Sequence, residues 1–139
     1  MRGLLSVVAL IAAFAAAGCQ SAPTKKTDAP EVVKEMGVSE ITPEQARPGV
    51  EAAYSQFIDV RTPEEFAAGH AYRTRNIPLD QLRNNLDKLE KNEPVYIICQ
   101  SGRRSKEAAE ILVAEGFSQA ISIAGGMNAW EQAGLPMAK

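Results

Sequence analysis

Val95-Tyr-Ile-Ile-Cys99-Gln-Ser-Gly-Arg-Arg-Ser105, followed by Lys106-Glu-Ala-Ala-Glu-Ile-Leu-Val-Ala-Glu115, is the stretch that decides how this chain folds. An apolar run of strand-forming residues ends on a cysteine, a short loop containing Gly102 follows, and a helix-like stretch is closed by Gly116. An uninterrupted apolar strand of this kind is expected to be buried on both faces, as in a parallel sheet. The amides of the loop and of the first helical turn lack intrahelical partners, and the helix dipole adds positive potential there. Strand end, loop and helix start therefore form a cradle for a negative charge. Gly102 allows a turn tight enough for several N–H groups to converge on one sulfur. A cysteine at that point is expected to be held as thiolate, the nucleophilic form. The alternative for any lone cysteine is a small buried hydrophobe, and the strand-end position weighs against it.

Outward from this stretch the chain alternates strands and helices. Val38 to Ile41 can form a short strand, and Thr42 can cap a helix that has Pro43 at its first position. Arg47-Pro48-Gly49 is predicted to interrupt that helix, with a second short piece running to Ala53. Tyr54 to Val60 reads as a buried strand. Thr62 and Glu65 have capping-box spacing, with Pro63 at the first helical position and Phe66 on the expected buried face of a helix ending at Gly69. Asn76 to Pro78 reads as an extended edge. Leu79, Leu82, Leu86 and Leu89 recur three or four apart, the stripe of a core-facing helix, with Asp80 as its predicted cap. In the helix after the cysteine loop, Ala108, Ile111, Leu112 and Glu115 share a face, and Gly116 fits the C′ position. Phe117 to Ile123 gives another strand, and Gly125-Gly126 opens a short helix to Gln132. The pattern predicts an α/β fold with a mostly parallel central sheet flanked by helices.

Several of these segments resemble a known family. Cys99-Gln-Ser-Gly-Arg-Arg104, with Ser105 after it, resembles the active-site loop of single-domain rhodaneses, sulfurtransferases that carry sulfur as a cysteine persulfide. Ile58-Asp-Val-Arg-Thr-Pro-Glu-Glu-Phe66 with Gly69-His70 resembles the first hallmark segment of that family. Asn76-Ile-Pro-Leu79, then Gly125-Gly-Met-Asn-Ala-Trp130 with Gly134-Leu-Pro136, are similar to its later landmarks in the same order, so the resemblance runs from Val38 to Pro136. It implies a rhodanese-like domain over residues 37–139, a persulfide on Cys99, and a donor such as thiosulfate with a cyanide or thiol acceptor. It further implies that Asp59 and Arg61 lie near the active loop in a supporting role, and that His70 is a structural landmark rather than a base. Two departures stand out. Ala71-Tyr-Arg-Thr74 replaces the family's usual Ile-Pro-Gly-Ala, and Glu65 stands where two-domain thiosulfate sulfurtransferases carry an arginine.

Among the individual residues, Cys99 is the candidate nucleophile, working in two half-reactions with ping-pong kinetics. Gln100, Ser101, Gly102, Arg103, Arg104 and Ser105 form the candidate substrate loop. Guanidinium groups suit oxyanions geometrically, so Arg103 and Arg104 are candidates for an anionic donor. The competing reading has them solvated or paired with Glu107. Ser105 is expected to cap the helix, with donation to the sulfur as the alternative. Asp59 and Arg61 pair structurally as readily as they act in chemistry. Met127 and Trp130 read as core. A single histidine and one free cysteine cannot fill a metal site, and no cofactor is expected.

The first residues read as a targeting segment. Arg2 supplies a positive start, Leu4 to Ala17 an apolar stretch too short to span a membrane, and Ala16-Ala-Gly-Cys19 a small-residue cleavage site. These features resemble a bacterial lipoprotein signal over residues 1–18, with Cys19 lipidated, although Ala16 replaces the usual large aliphatic residue. Residues 19–36 would then be a flexible, polar tether. Gln20 is not the aspartate that resembles an inner-membrane retention signal. The expected location is therefore the periplasm, lipid-anchored at the outer membrane, with a soluble periplasmic protein as the alternative.

The chain has 139 residues, 45% hydrophobic and 23% charged, which suits one globular domain. Without residues 1–18 it carries 14 basic against 17 acidic side chains, net −3. That balance gives no support to a nucleic-acid partner, and a monomer is expected. Two rival functions are weighed. A phosphatase or arsenate-reductase loop needs arginine six places after the cysteine, and that place holds Ser105, Arg104 being five places on. A binding or persulfide-sensing module tethered in the cell envelope typically lacks the cysteine, which this chain keeps.

Overall fold

The computed structural model describes residues 38–139; the signal, tether and Cys19 expectations lie outside the described residues. The described elements are β1 (Val38–Ile41), α1 (Pro43–Glu51), β2 (Gln56–Asp59), α2 (Pro63–Ala68), β3 (His70–Ala71), β4 (Arg75–Asn76), a 3₁₀ segment (Leu79–Lys88), β5 (Val95–Ile98), α3 (Arg103–Ala114), β6 (Ala120–Ile123), α4 (Gly126–Gln132) and β7 (Met137–Ala138). Five strands form one sheet in the order β1-β6-β5-β2-β4, every neighbouring pair parallel. β3 and β7 make a separate antiparallel pair. The fold is the expected α/β arrangement, with β5 at the centre of the sheet.

Period-two alternation divides the core between the two faces. Val95 and Ile97 of the central strand, with Cys99 just past its end, join Leu82, Leu89, Ala108, Ala109 and Leu112 on the face covered by α3 and the 3₁₀ segment. Ile98 joins Ala46, Val50, Phe57, Ile123, Met127 and Trp130 on the other, covered by α1 and α4. Ala108 and Ala109 are fully buried, and their small side chains let α3 approach the sheet.

Four local expectations are corrected. α1 runs unbroken through Arg47-Pro48-Gly49 and stops at Glu51, so there is no second piece to Ala53. Proline removes one helical hydrogen bond, but Ala46 and Val50, one turn apart on either side of Pro48, are both buried and hold the helix across it. Gly49 serves packing there, because a Cβ would run into the Tyr96 ring. The leucine stripe is not one regular helix. It forms 3₁₀ turns with a non-helical residue at Asn85, whose side-chain amide donates to the Gln81 carbonyl at 2.7 Å. Asp80 is exposed and caps nothing, since Pro78 occupies the cap position without a side-chain bond. Phe66 is only half-buried; its ring stacks on His70 at 3.7 Å between centroids.

The capping box at Thr62 forms as its spacing predicts. The Thr62 hydroxyl accepts from Glu65 N at 3.3 Å, and Glu65 Oε2 accepts from Thr62 N at 3.0 Å. The same reciprocal box closes the start of α1 at Thr42 and Gln45.

Candidate active site

The site begins where β5 ends. Cys99 is 1% exposed, and the chain turns sharply after it because Gly102 takes the left-handed conformation, φ +97°. That turn points the Gly102 N–H at the Cys99 sulfur, 3.1 Å away. Gly102 is also the cap residue of α3, so the sulfur lies at the N-terminal end of a 12-residue helix, the positive end of its dipole.

The outside of the loop is held by α4. Met127 N donates to the Cys99 carbonyl at 2.7 Å and Asn128 N to the Gln100 carbonyl at 3.2 Å. The Gln100 side-chain amide donates to Asn128 Oδ1 at 2.6 Å. This approach requires glycine at 126, since a Cβ there would collide with the Cys99 and Gln100 backbone. The first turn of α4 thus holds the loop carbonyls on one side while the Gly102 amide faces the sulfur on the other. Sequence reasoning used Gly125-Gly126 and Asn128 only as a landmark; the signal for their part was the glycine pair directly before a helix.

Asp59 and Arg61 are both buried, at 0% and 4% exposure. Arg61 Nη2 donates to Asp59 Oδ2 at 2.7 Å, and Arg61 Nε lies 3.1 and 3.0 Å from the two carboxylate oxygens. The same guanidinium reaches the Gln100 side-chain oxygen at 3.1 Å and the Gly69 carbonyl at 2.7 Å. Asn76 completes the corner by donating to the Asp59 and Arg61 carbonyls at 3.0 and 2.9 Å. The pair therefore joins the end of β2 to the cysteine loop and the end of α2.

The two loop arginines part company. Arg103 is exposed, and its side chain makes no hydrogen bond or ion pair with the described residues. Arg104 pairs not with Glu107 but with Glu65, fork to fork, with two N–H···O bonds of 2.8 Å. Hydrogen bonding from the Arg104 guanidinium holds the Glu65 carboxyl down at about 2, against an ordinary 4.5, in spite of the opposing effect of burial. The same bond, opposed by burial and aided by the Glu65, Cys99 and Asp59 charges, raises Arg104 above its ordinary value.

Ser105 is not the helix cap, because no side chain caps α3. Its hydroxyl turns back to the Gly102 carbonyl at 3.0 Å, lies 2.8 Å from the Ser122 hydroxyl, and sits 3.5 Å from the Cys99 sulfur. These three partners, one carbonyl, one hydroxyl and the sulfur itself, explain its burial better than capping does: it closes the floor beneath the sulfur. Ser122, fully buried on β6, was not singled out from the sequence. Ser101 is exposed at the rim. His70 bonds the Phe66 carbonyl at 3.0 Å and pairs in register with Ala138, which is a structural placement. Among the described residues no cluster of three or more histidine, cysteine, aspartate or glutamate side chains is placed to hold a metal ion.

Comparison with known proteins meets this geometry. The model of the rhodanese-like domain matches residues 42–133. The protein YqhL of Bacillus subtilis is 40% identical over 90 residues, covering 65% of this chain and 70% of that one. The thiosulfate sulfurtransferase GlpE of Actinobacillus pleuropneumoniae is 32% identical over 99 residues, covering 71% of this chain and 92% of its own. The crystal structure of a rhodanese-like domain protein from Staphylococcus aureus superposes with a TM-score of 0.61 at 39% identity, covering 66% of this chain and 89% of that one. With a parallel sheet whose central strand delivers a cysteine into a glycine-turned loop at a helix N-terminus, and with relatives of this kind along most of its length, the chain belongs to the rhodanese-like family.

Proposed function

We propose that this chain is a sulfurtransferase that carries a sulfane sulfur as a persulfide on Cys99. The observation that carries the reading is the 3.1 Å contact from the Gly102 amide to the sulfur at the start of α3. An amide held at that distance by the fold stabilises negative charge without reorganising. In the first half-reaction the Cys99 thiolate attacks the outer sulfur of a donor. With thiosulfate, a sulfur–sulfur bond forms to Cys99, the donor's own sulfur–sulfur bond breaks, and sulfite departs with the electron pair. In the second, a cyanide carbon or thiolate attacks the outer sulfur, the persulfide bond breaks, and its electron pair returns to Cys99. The attacking thiolate and the persulfide it becomes are both anionic, so one cradle serves both. GlpE, a thiosulfate sulfurtransferase by name, supports the donor class. Exposed Arg103, on the first turn of α3, supports an anionic donor.

Intact mass after incubation with thiosulfate tests the reading. One added sulfur, removed by cyanide and absent from Cys99→Ser, is the expected result. Turnover by Cys99→Ser, or no loading of the folded wild type by any persulfide or thiosulfate donor, would overturn it. The same proposal places the protein in the periplasm on a Cys19-linked lipid, supported by Arg2, the apolar stretch and Ala16-Ala-Gly-Cys19. Mature protein without lipid, cleaved elsewhere than before Cys19, would remove the anchor from the proposal.

A further inference from the structure

We propose that Ser122 is a positioning residue for the sulfur chemistry, acting on Cys99 through the Ser105 hydroxyl. The inference rests on Cys99 being the reacting sulfur. β6 reads Ala-Ile-Ser-Ile, and strand alternation sets Ser122 on the face of Ala120, under α3. An apolar residue is the ordinary occupant of such a place, since burying an unpaired hydroxyl costs about 1–3 kcal/mol. Ser122 instead finds its side-chain partner in Ser105, at 2.8 Å, and both are 0% exposed.

A count of protons shows what the second serine adds. Ser105 has one hydroxyl proton and two acceptors within reach: the Gly102 carbonyl at 3.0 Å and the sulfur at 3.5 Å. While Cys99 keeps its proton, the thiol donates to the Ser105 oxygen and Ser105 donates to the Gly102 carbonyl. When the thiol proton leaves to solvent, the sulfur becomes an acceptor and the Ser105 proton can rotate onto it. The Gly102 carbonyl is not stranded, because it also accepts from Lys106 N at 3.2 Å. The Ser105 oxygen, however, loses the thiol donor and has no water-facing surface. Ser122 supplies the donor that remains. Its proton on the Ser105 oxygen fixes that hydroxyl and polarises its hydrogen toward the sulfur. The anionic sulfur thus receives one donor from the Gly102 amide and one from Ser105, and the second depends on Ser122.

Replacing Ser122 by a neutral residue changes no charge near the sulfur. Cys99 is faced from α3 by Arg104 with its partner Glu65, and from the end of β2 by the Asp59–Arg61 pair. β6 and the first turn of α4, Gly126 to Asn128, bring no charged side chain. Alkylation of Cys99 by iodoacetamide, followed by intact mass, tests the proposal independently of sulfur transfer. At pH 7 we expect Ser122→Ala to react about three- to tenfold more slowly than wild type, with the deficit closing at pH 9.5, as fits the loss of one hydrogen bond that favours the anion. Ser122→Thr, which keeps the hydroxyl, should recover most of the rate, whereas Ser122→Val, of the same shape without it, should not. Thermal melts confirm that each variant is folded. Equal rates at pH 7, a deficit of the same size at both pH values, or identical behaviour of the threonine and valine variants would overturn the proposal. Normal alkylation differences in a protein that never takes sulfur from thiosulfate would uphold Ser122's role and strike the sulfurtransferase reading instead.

Discussion

Two arginine–carboxylate pairs hold the cysteine loop, and they differ in depth. Asp59–Arg61 is buried, residues of one strand end closing on each other two positions apart. Glu65–Arg104 is about one-third exposed and joins residues 39 positions apart, one on α2 and one on the loop's own helix. Their geometries are equally good, but their energetics are not. A buried guanidinium that loses its carboxylate is left as an uncompensated charge, whereas a partly exposed one recovers water. The inner pair therefore belongs to the framework, since Arg61 also binds Gln100 and Gly69. The outer pair is adjustable, and it occupies a guanidinium that would otherwise be available to an anionic donor.

The largest effect should come from the inner pair. Asp59→Ala is expected to destabilise the fold by about 3–5 kcal/mol, measured by urea denaturation, with loss of activity following loss of structure. A stability change as small as that of Glu65→Ala would erase the distinction between the pairs. Next comes the donor half-reaction. Arg103→Ala should slow single-turnover loading by thiosulfate roughly tenfold, as for one charge-assisted hydrogen bond of about 1.5 kcal/mol, and leave transfer to cyanide nearly unchanged. Arg104→Ala should slow loading less, because Arg104 is already committed to Glu65. Glu65→Ala, which frees that guanidinium, should quicken loading about threefold at low salt, and the gain should fade as salt screens it. Slower loading in Glu65→Ala would mean that the outer pair positions the loop rather than withholding a charge.

The smallest effect is in the pH dependence of stability. Glu65 titrates near 4.5 when unpaired and at about 2 in the folded protein. A lowered carboxylate value means that the stabilisation is fully present above pH 4.5 and is lost as pH falls through about 2. Because the pair is one-third exposed, its size should be only about 0.5–1 kcal/mol. Comparing acid denaturation of wild type and Glu65→Gln between pH 5 and 2 measures it, and parallel curves would deny the pair any contribution.

Glu65 also shows how far a sequence can be read. Its part in the Thr62 capping box was legible, because both partners lie within one helical turn and spacing alone brings them together. Its pairing with Arg104 was not, because that contact depends on where α2 and α3 pack. The same division holds elsewhere. The strand–loop–helix around Cys99, the central place of β5 and the glycine ending α3 follow from local pattern. Ser122 looked like an ordinary strand residue until the α3 side chains were in place over it. Pro48 misled because local propensity gave way to the burial of Ala46 and Val50, and the leucine stripe because spacings of three and four do not separate a regular helix from 3₁₀ turns.

The uniform direction of the five-stranded sheet has a consequence for handling the molecule. Val38 stands level with Ala120, which stands level with Val95, so the described chain starts at the end of the sheet where the central strand starts. Cys99 lies beyond the other end of that strand, about 13 Å further along at the usual rise per residue. Attachment at Val38, the first described residue, therefore holds the domain by the end of the sheet opposite to the cysteine loop.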